Sequence, residues 1–282
     1  MNTIHLIYPF NFSKRKTPWE EGNQIYLALK KNYKFKFYSW LSIEKINPDK
    51  GDILFGHSHS NPYTVFRRSM KNNKWSKVIL YQPYNEDKYQ LSYLHKVLPY
   101  CDEFITLCGP YWFKRINKSI FHIWKKKMNH VNCGINRNSY KFLKKKFNEI
   151  GKRKILFIGN DYQYNNYAKN IQFLHSISKK FKNNIFGSMG NVKFNNMINY
   201  GWMNFDSEYS RKKLLDYDFL IQTSKNDANP STILEAMSWG LIPIATKQCG
   251  YHNEEGIINI PLNRVNDTVK IIKKLLHINP NN

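Results

Sequence analysis

Acidic residues are scarce: 20 Asp+Glu stand against 44 Lys+Arg in 282 residues, a formal net charge of +24. Cysteine is scarce too. Cys101, Cys108, Cys133 and Cys249 lack the close spacing of a tetrahedral zinc site and are too few for a disulfide framework, which suits a reducing, cytoplasmic compartment. No apolar run reaches the roughly 18–20 residues of a membrane-spanning helix, so any membrane contact is expected to be peripheral. The apolar stretch Met1 to Phe12 carries His5, Tyr8 and Pro9 and runs into Ser13-Lys14-Arg15-Lys16. It lacks the basic start and small-residue cleavage site of a leader and reads as a first strand. With 41% hydrophobic and 16% aromatic residues spread along its length, the chain is not of disordered composition.

The positive charge is uneven. Residues 1–150 hold 27 Lys+Arg and 10 Asp+Glu, a net +17, whereas residues 151–282 hold 17 and 10, a net +7. A surface of that sign attracts phosphates of any kind, whether on nucleic acid, anionic lipid or a small substrate, and solubilising charge alone would give the same sum.

Short apolar runs alternate with helix-length stretches. Strands are predicted at Thr3–Tyr8, Lys34–Ser39, Asp52–Phe55, Val78–Tyr81, Glu103–Leu107, Lys154–Ile158, Asn184–Phe186, Phe219–Thr223 and Ile242–Thr246. Successive apolar positions such as Ile155-Leu156-Phe157-Ile158 mark strands covered on both faces, and the alternation with helices implies parallel sheets in an α/β protein. The pattern restarts after the basic run Lys141–Lys146, which puts a domain boundary near residue 150 and domains at 1–150 and 151–282. Val265–Ile278 repeats Val265, Val269, Ile272, Leu275 and Leu276 at helical spacing, the mark of an amphipathic terminal helix.

The stretch Asp218 to Gly250 carries the most chemistry. It reads as a buried strand, a polar loop, and a helix entered at Asn229-Pro230-Ser231-Thr232 and closed at Gly240, with Asn229 placed to cap and Pro230 suited to the first helical position. A helix start beyond the carboxyl end of a parallel strand offers free N–H groups and a dipole to an anion. Glu235 lies about one turn in, on the side of Ser231, where a carboxylate can accept both hydroxyls of a ribose. Asp227 precedes the helix in the loop, where it can bind hydroxyls of a second sugar. A solvated helical glutamate and an ordinary turn aspartate are the alternative.

Asp227, Glu235-Ala236-Met237 and Gly240-Leu241-Ile242-Pro243 together resemble the donor-binding signature of the glycosyl transferases group 1 family, retaining enzymes of the GT-B fold. That family usually has Glu at the position of Asp227, a departure that bears on the sugar preferred. Lys154 to Gly159 resembles the first strand of its nucleotide-binding domain, and Lys169-Asn170 its diphosphate-binding lysine and neighbour. Asn160 stands where the family has an arginine, so one of two cations is absent. Gly187 and Tyr200-Gly201-Trp202-Met203 match positions that flank the nucleotide base, core packing being the alternative for Trp202. Asn132-Cys133-Gly134-Ile135-Asn136 resembles the turn before the family's interdomain linker.

In the first half the likeness is looser. Asp52 to His59 resembles the strand that ends in histidines at the interdomain cleft; His57 and His59 have no acidic or cysteine neighbours to complete a metal site, and the family's chemistry needs none. Gln82 ends the next strand where many members have a histidine beside the reacting sugar, and Gly22 falls where they have a glycine loop, or is simply a helix-start glycine.

The resemblance implies two Rossmann-like domains facing across a cleft and metal-independent sugar transfer with retention. The donor is a nucleotide-diphosphate sugar and the acceptor a glycan or lipid-linked glycan, with no cofactor. Catalytic roles fall to Asp227, Lys169, His57 and Gln82. Donor binding falls to Gly159, Asn160, Lys169, Gly187, Trp202, Met203, Asn229, Pro230, Ser231, Thr232, Ile233 and Glu235. The interleaved aromatics and cations of Tyr111–Arg115 and Phe121–Lys127 suit peripheral contact with an anionic membrane face, or else a helix with its aromatics in the core. Two other readings stay open: a GT-B protein that binds without turnover, which Asn160 and Gln82 favour, and a basic nucleic-acid-binding protein, which Asp227 and Glu235 oppose.

Overall fold

The computed structural model describes residues 1–9, 21–135, 140, 142–160, 168–205 and 207–279. The chain divides into two compact units, Met1–Gly134 and Ile135–Asn282. The division falls ahead of residue 150 because Tyr140, Lys144, Phe147 and Asn148 all pack on or bond to the second unit.

The first unit is built on β1 (Thr3–Tyr8), β2 (Lys34–Ser39), β3 (Ile53–Gly56), β4 (Lys77–Pro83), β5 (Glu103–Leu107) and β6 (Met128–Val131). They pair in the order β2-β1-β3-β4-β5-β6, every ladder parallel. Its helices are α1 (Glu21–Leu29), α2 (Val65–Ser69), α3 (Lys88–Val97) and α4 (Pro110–Arg115). Side chains alternate between the faces of a strand. Ile7, Leu54, Val78, Leu80 and Phe104 accordingly share one core with Val65 and Phe66 of α2 and Leu94 and Val97 of α3. Ile4, Leu6, Tyr8, Phe55 and Tyr81 form the other with Ile25 and Leu29 of α1. Trp112 and Phe121 lie in the first core, so the aromatics of the basic segment are structural. Ile120 and Ile123 beside them are 61% and 65% exposed.

The second unit has β7 (Ile155–Ile158), β8 (Phe186–Met189), β9 (Ile198–Asn199), β10 (Phe219–Gln222), β11 (Ile242–Thr246) and β12 (Ile258–Ile260). Their order is β12-β11-β10-β7-β8-β9, again all parallel. The helices are α5 (Ile171–Ser178), α6 (Glu208–Leu215), α7 (Ser231–Trp239) and α8 (Val265–His277). β7, β8 and β10 are buried at all four positions. Ile155, Phe157, Phe219 and Ile221 face α5 and α8, whereas Leu156, Ile158 and Leu220 face Ala236 and Trp239 of α7. Pro230, not Asn229, is the N-cap of α7, and it supplies no side-chain cap. Gly240 closes it in the left-handed conformation, which glycine adopts without a Cβ penalty.

The amino ends of this sheet are fastened by buried charge. Asp218 takes an ion pair from Lys144 at 3.2 Å, the Asn148 amide at 2.7 Å and the Lys154 amide at 3.3 Å. The buried Arg153 guanidinium donates to the carbonyls of Leu275 and Ile278 at 3.1 and 2.6 Å and so holds the end of α8. All four cysteines are free and buried, and burial pushes the thiols of Cys101 and Cys108 up to about 12.

Candidate functional site

A ligand in an open parallel sheet sits beyond the carboxyl ends of the strands, where the strand order reverses. In the second unit that point lies between β7 and β10, the strands from which the connections run in opposite directions. A cavity of about 250 Å³ opens there. Gly159, Asn160, Lys169, Trp202, Met203 and Thr232, six residues singled out from sequence, line it together with Met189, Gly190 and Phe205.

Two glycines shape its floor. Gly190, at φ +121°, lies against the Gly159 carbonyl, which any Cβ would overlap. The Gly159 amide in turn donates to the Met189 carbonyl at 3.0 Å. Gly187, matched in sequence to a position that flanks the base, is inside β8 and leaves room for the Tyr217 hydroxyl. Gly190 follows directly on that strand, and an end shifted to Met189 would have exposed it. Trp202 is 74% exposed at the cavity, which replaces the core-packing alternative.

Lys169 reaches across to the β10–α7 loop, its Nζ 2.5 Å from Asp227 Oδ2. The Lys225 amide, donating to the Ala168 carbonyl at 2.8 Å, joins the two segments, and the Asp227 amide, donating to the Gln248 carbonyl at 3.1 Å, fixes the loop against the turn after β11. Burial acts to lower the Lys169 pKa, but the Asp227 charge and hydrogen bond outweigh it and hold the pKa above the usual lysine value. The ammonium is therefore fully charged at neutral pH. Asp227 and Lys169, given separate roles from sequence, are here one ion pair 58 residues apart along the chain.

Glu235 is 9% exposed. It accepts from the Tyr140 hydroxyl at 3.3 Å and from Ser231 one turn before it, and burial still raises its pKa above the usual carboxylate value. A desolvated carboxylate held by hydroxyls alone has acceptor capacity to spare. Thr232 lines the cavity and accepts at 3.0 Å from Gln222. Asn229 does not cap the helix: its Oδ1 accepts from the Tyr251 hydroxyl. Ile233 is core, packed with Ala245, Cys249 and Tyr251. Asp227, Asn229, Pro230, Ser231, Ile233 and Glu235 surround the entrance to α7 without lining the cavity itself.

Buried polar atoms normally find partners, and each exception calls for an explanation. Among the described residues eight buried side-chain atoms have none, and four of them belong to the end of β10 and the loops around Asp227: Gln222 Oε1, Ser224 Oγ, Asn229 Nδ2 and Gln248 Oε1. Two more, His57 Nε2 and Ser58 Oγ, follow β3 in the first unit, whose order reverses between β1 and β3.

His57 sits edge-on to the rings of Tyr8, Tyr81 and Trp40 at 5.0, 5.5 and 6.4 Å, and burial pushes its pKa down to about 3. The imidazole is thus neutral at physiological pH. Gln82 bonds at both ends of its amide: its Oε1 accepts from the Ser58 amide at 3.2 Å and its Nε2 donates to the Tyr93 hydroxyl. These bonds tie it to the turn that carries His57. Gly22, the second residue of α1, gives its amide to the Tyr8 hydroxyl. His59 Nδ1 accepts from the Asn61 amide at 3.1 Å. Asn136 lies outside the described residues.

No protein-family model and no curated protein sequence matches this chain. Solved structures do. The lipopolysaccharide outer core galactosyltransferase WaaB superposes with a TM-score of 0.62 at 13% identity, over 97% of this chain and 90% of that one. Sucrose-phosphate synthase from Thermosynechococcus elongatus gives 0.65 at 12% identity, over 98% and 90%. TarM from S. aureus, solved with UDP and alpha-GlcNAc-glycerol among its ligands, gives 0.54 at 15% identity, over 82% of this chain. The chain matches about half the length of TarM, 49%. The fold is that of the GT-B glycosyltransferases.

Proposed function

We propose that this chain is a glycosyltransferase that moves a sugar from a nucleoside-diphosphate sugar to a glycan or lipid-linked glycan, without a metal and with retention at the anomeric carbon. The observation that carries this reading is the Lys169–Asp227 pair at 2.5 Å beside a glycine-floored cavity at the strand-order reversal, with the uncapped start of α7 and the buried Glu235 next to it. The bond from the anomeric carbon to the diphosphate oxygen breaks and one to an acceptor hydroxyl oxygen forms, the hydroxyl proton leaving with the diphosphate. The Lys169 ammonium and the free amides of α7 stabilise the charge that develops on the diphosphate. Glu235 accepts the ribose hydroxyls, Asp227 those of the donor sugar, and the Trp202 ring offers a face to the base. His57, neutral and with an unpartnered nitrogen, supplies a hydrogen bond to a sugar hydroxyl and no proton. The exposed Ile120 and Ile123 beside Lys118, Lys125 and Lys126 suit contact with an anionic membrane face on the cytoplasmic side.

A second reading, binding without turnover, rests on Gln82 in the place of a sugar-contacting histidine and Asn160 in the place of an arginine. Turnover of UDP- and GDP-sugars, by hydrolysis or transfer, decides between the two. Removing an electrostatic donor of this kind costs about 10²–10³ in kcat, so Lys169→Ala is expected to lose that much while still folding. Donor binding with no turnover by the unaltered chain supports the second reading, and an unchanged kcat in the variant refutes the role of Lys169.

A further inference from the structure

A second pocket, in the first unit, is lined by cations without a carboxylate. It encloses about 420 Å³, and Arg67, Lys71 and Lys96 project on it with Tyr100 and two prolines. Arg67 and Lys71 are four residues apart across the end of α2 and so share a side. Lys96 comes from the last turn of α3. None of the three forms an ion pair among the described residues, although nine such pairs occur elsewhere. Arg67 is half-buried, and its one hydrogen-bond partner among the described residues is the Ser60 carbonyl at a long 3.4 Å. Its desolvation, which Tyr93 offsets only in part, holds the guanidinium pKa below its usual value. Lys71 is steadied over the Tyr100 ring at 4.5 Å, and Tyr100 is itself exposed.

Helix dipoles do not account for the cluster. Lys96 complements the carbonyl end of α3, but α2 has five residues and little dipole for Arg67 to complement. Three like charges around one cavity repel each other unless an anion joins them. A guanidinium fork with two ammonium groups matches the oxygens of a phosphate dianion, and the exposed Tyr100 ring beside Lys71 gives the carrier of that phosphate an apolar face.

We infer that the Arg67–Lys71–Lys96 pocket binds a phosphate monoester, a site separate from the one at Lys169 and independent of the function proposed above. The phosphate can be that of a soluble sugar phosphate or of a lipid headgroup. The test is calorimetric titration of the full chain with glucose 6-phosphate at fixed ionic strength, and co-sedimentation with phosphatidylcholine vesicles with and without phosphatidic acid. Lys96→Gln, an exposed position, and Arg67→Gln are each expected to weaken the binding at least tenfold, Lys96→Arg to retain it, and Lys169→Gln to leave it unchanged. Loss in the titration assigns a soluble ligand, and loss confined to the vesicles a lipid one. If Arg67→Gln fails to fold, the two Lys96 variants carry the result. No binding in either assay overturns the inference. So does binding that Lys96→Gln leaves intact, or that only Lys169→Gln removes.

Discussion

Acidification from neutral pH to pH 3 is expected to cost the first unit about 4 kcal/mol through His57 alone. The folded pKa is about 3 against an ordinary 6.5, because charging the ring inside the Tyr8, Tyr81 and Trp40 box has no compensating partner. In the unfolded chain the ring takes its proton near pH 6.5, so that state binds more protons between the two values. The contribution is complete above pH 6.5 and falls by about 1.4 kcal/mol per pH unit below it. His5, whose pKa burial also lowers, works in the same direction. Asp52, held below its ordinary value by the Thr3 amide and His5 against the opposing effect of burial, adds its loss only below about pH 4. Urea unfolding between pH 7 and 4, run on the wild type and on His57→Phe, isolates the His57 part. The variant is expected to show the shallower dependence; parallel curves would remove the claim that this imidazole is held neutral.

Asp218→Asn is expected to destabilise the second unit by about 3–5 kcal/mol, because it leaves the buried Lys144 ammonium without its counter-charge. Lys144 keeps only the Leu215 carbonyl at 2.8 Å, and water does not reach it. Asp218 accepts the Asn148 amide on Oδ1 and the Lys154 amide and Asn148 Nδ2 on Oδ2, whereas asparagine has one acceptor oxygen. The single variant therefore loses bonds as well as charge, and the double variant, which shares the lost bonds, isolates the charge. Lys144→Met combined with Asp218→Asn removes both charges and should regain most of the stability. Denaturant midpoints for the wild type, the single and the double variants check this. A double variant as weak as the single one would show that the ammonium is not the source of the cost.

Strands buried on both faces were legible in the sequence because they have no polar side to break the run, as with Ile155–Ile158 and Phe219–Gln222. β6, β9 and β12 were missed. All three are sheet edges, and pieces such as Met128-Asn129-His130-Val131 and Ile198-Asn199 carry polar residues that an edge tolerates. β8 was placed at Asn184–Phe186 and stands at Phe186–Met189. Its Gly187 and Ser188 look like a turn, but they pair with Leu156 and Phe157 of β7, and Gly187 leaves the space that the Tyr217 hydroxyl fills. At the site, the residues proposed from their spacing in one loop and one helix gather around the entrance to α7, and Thr232 among them lines the cavity. The Lys169–Asp227 pair, the Glu235–Tyr140 bond and the Gly159–Gly190 approach join distant segments, and spacing along the chain holds no record of them. Asn229 was misread as a cap because its competitor, Tyr251, arrives from the far side of β11.

The central claim is that the entrance to α7 grips a nucleoside diphosphate through Lys169 and Glu235. Calorimetric titration of the protein with UDP and GDP, repeated on Glu235→Ala, tests it most directly. The account predicts saturable binding of one of the two, weakened at least tenfold by the substitution at an unchanged thermal midpoint. Affinity indifferent to Glu235, or no affinity for either compound, would contradict it.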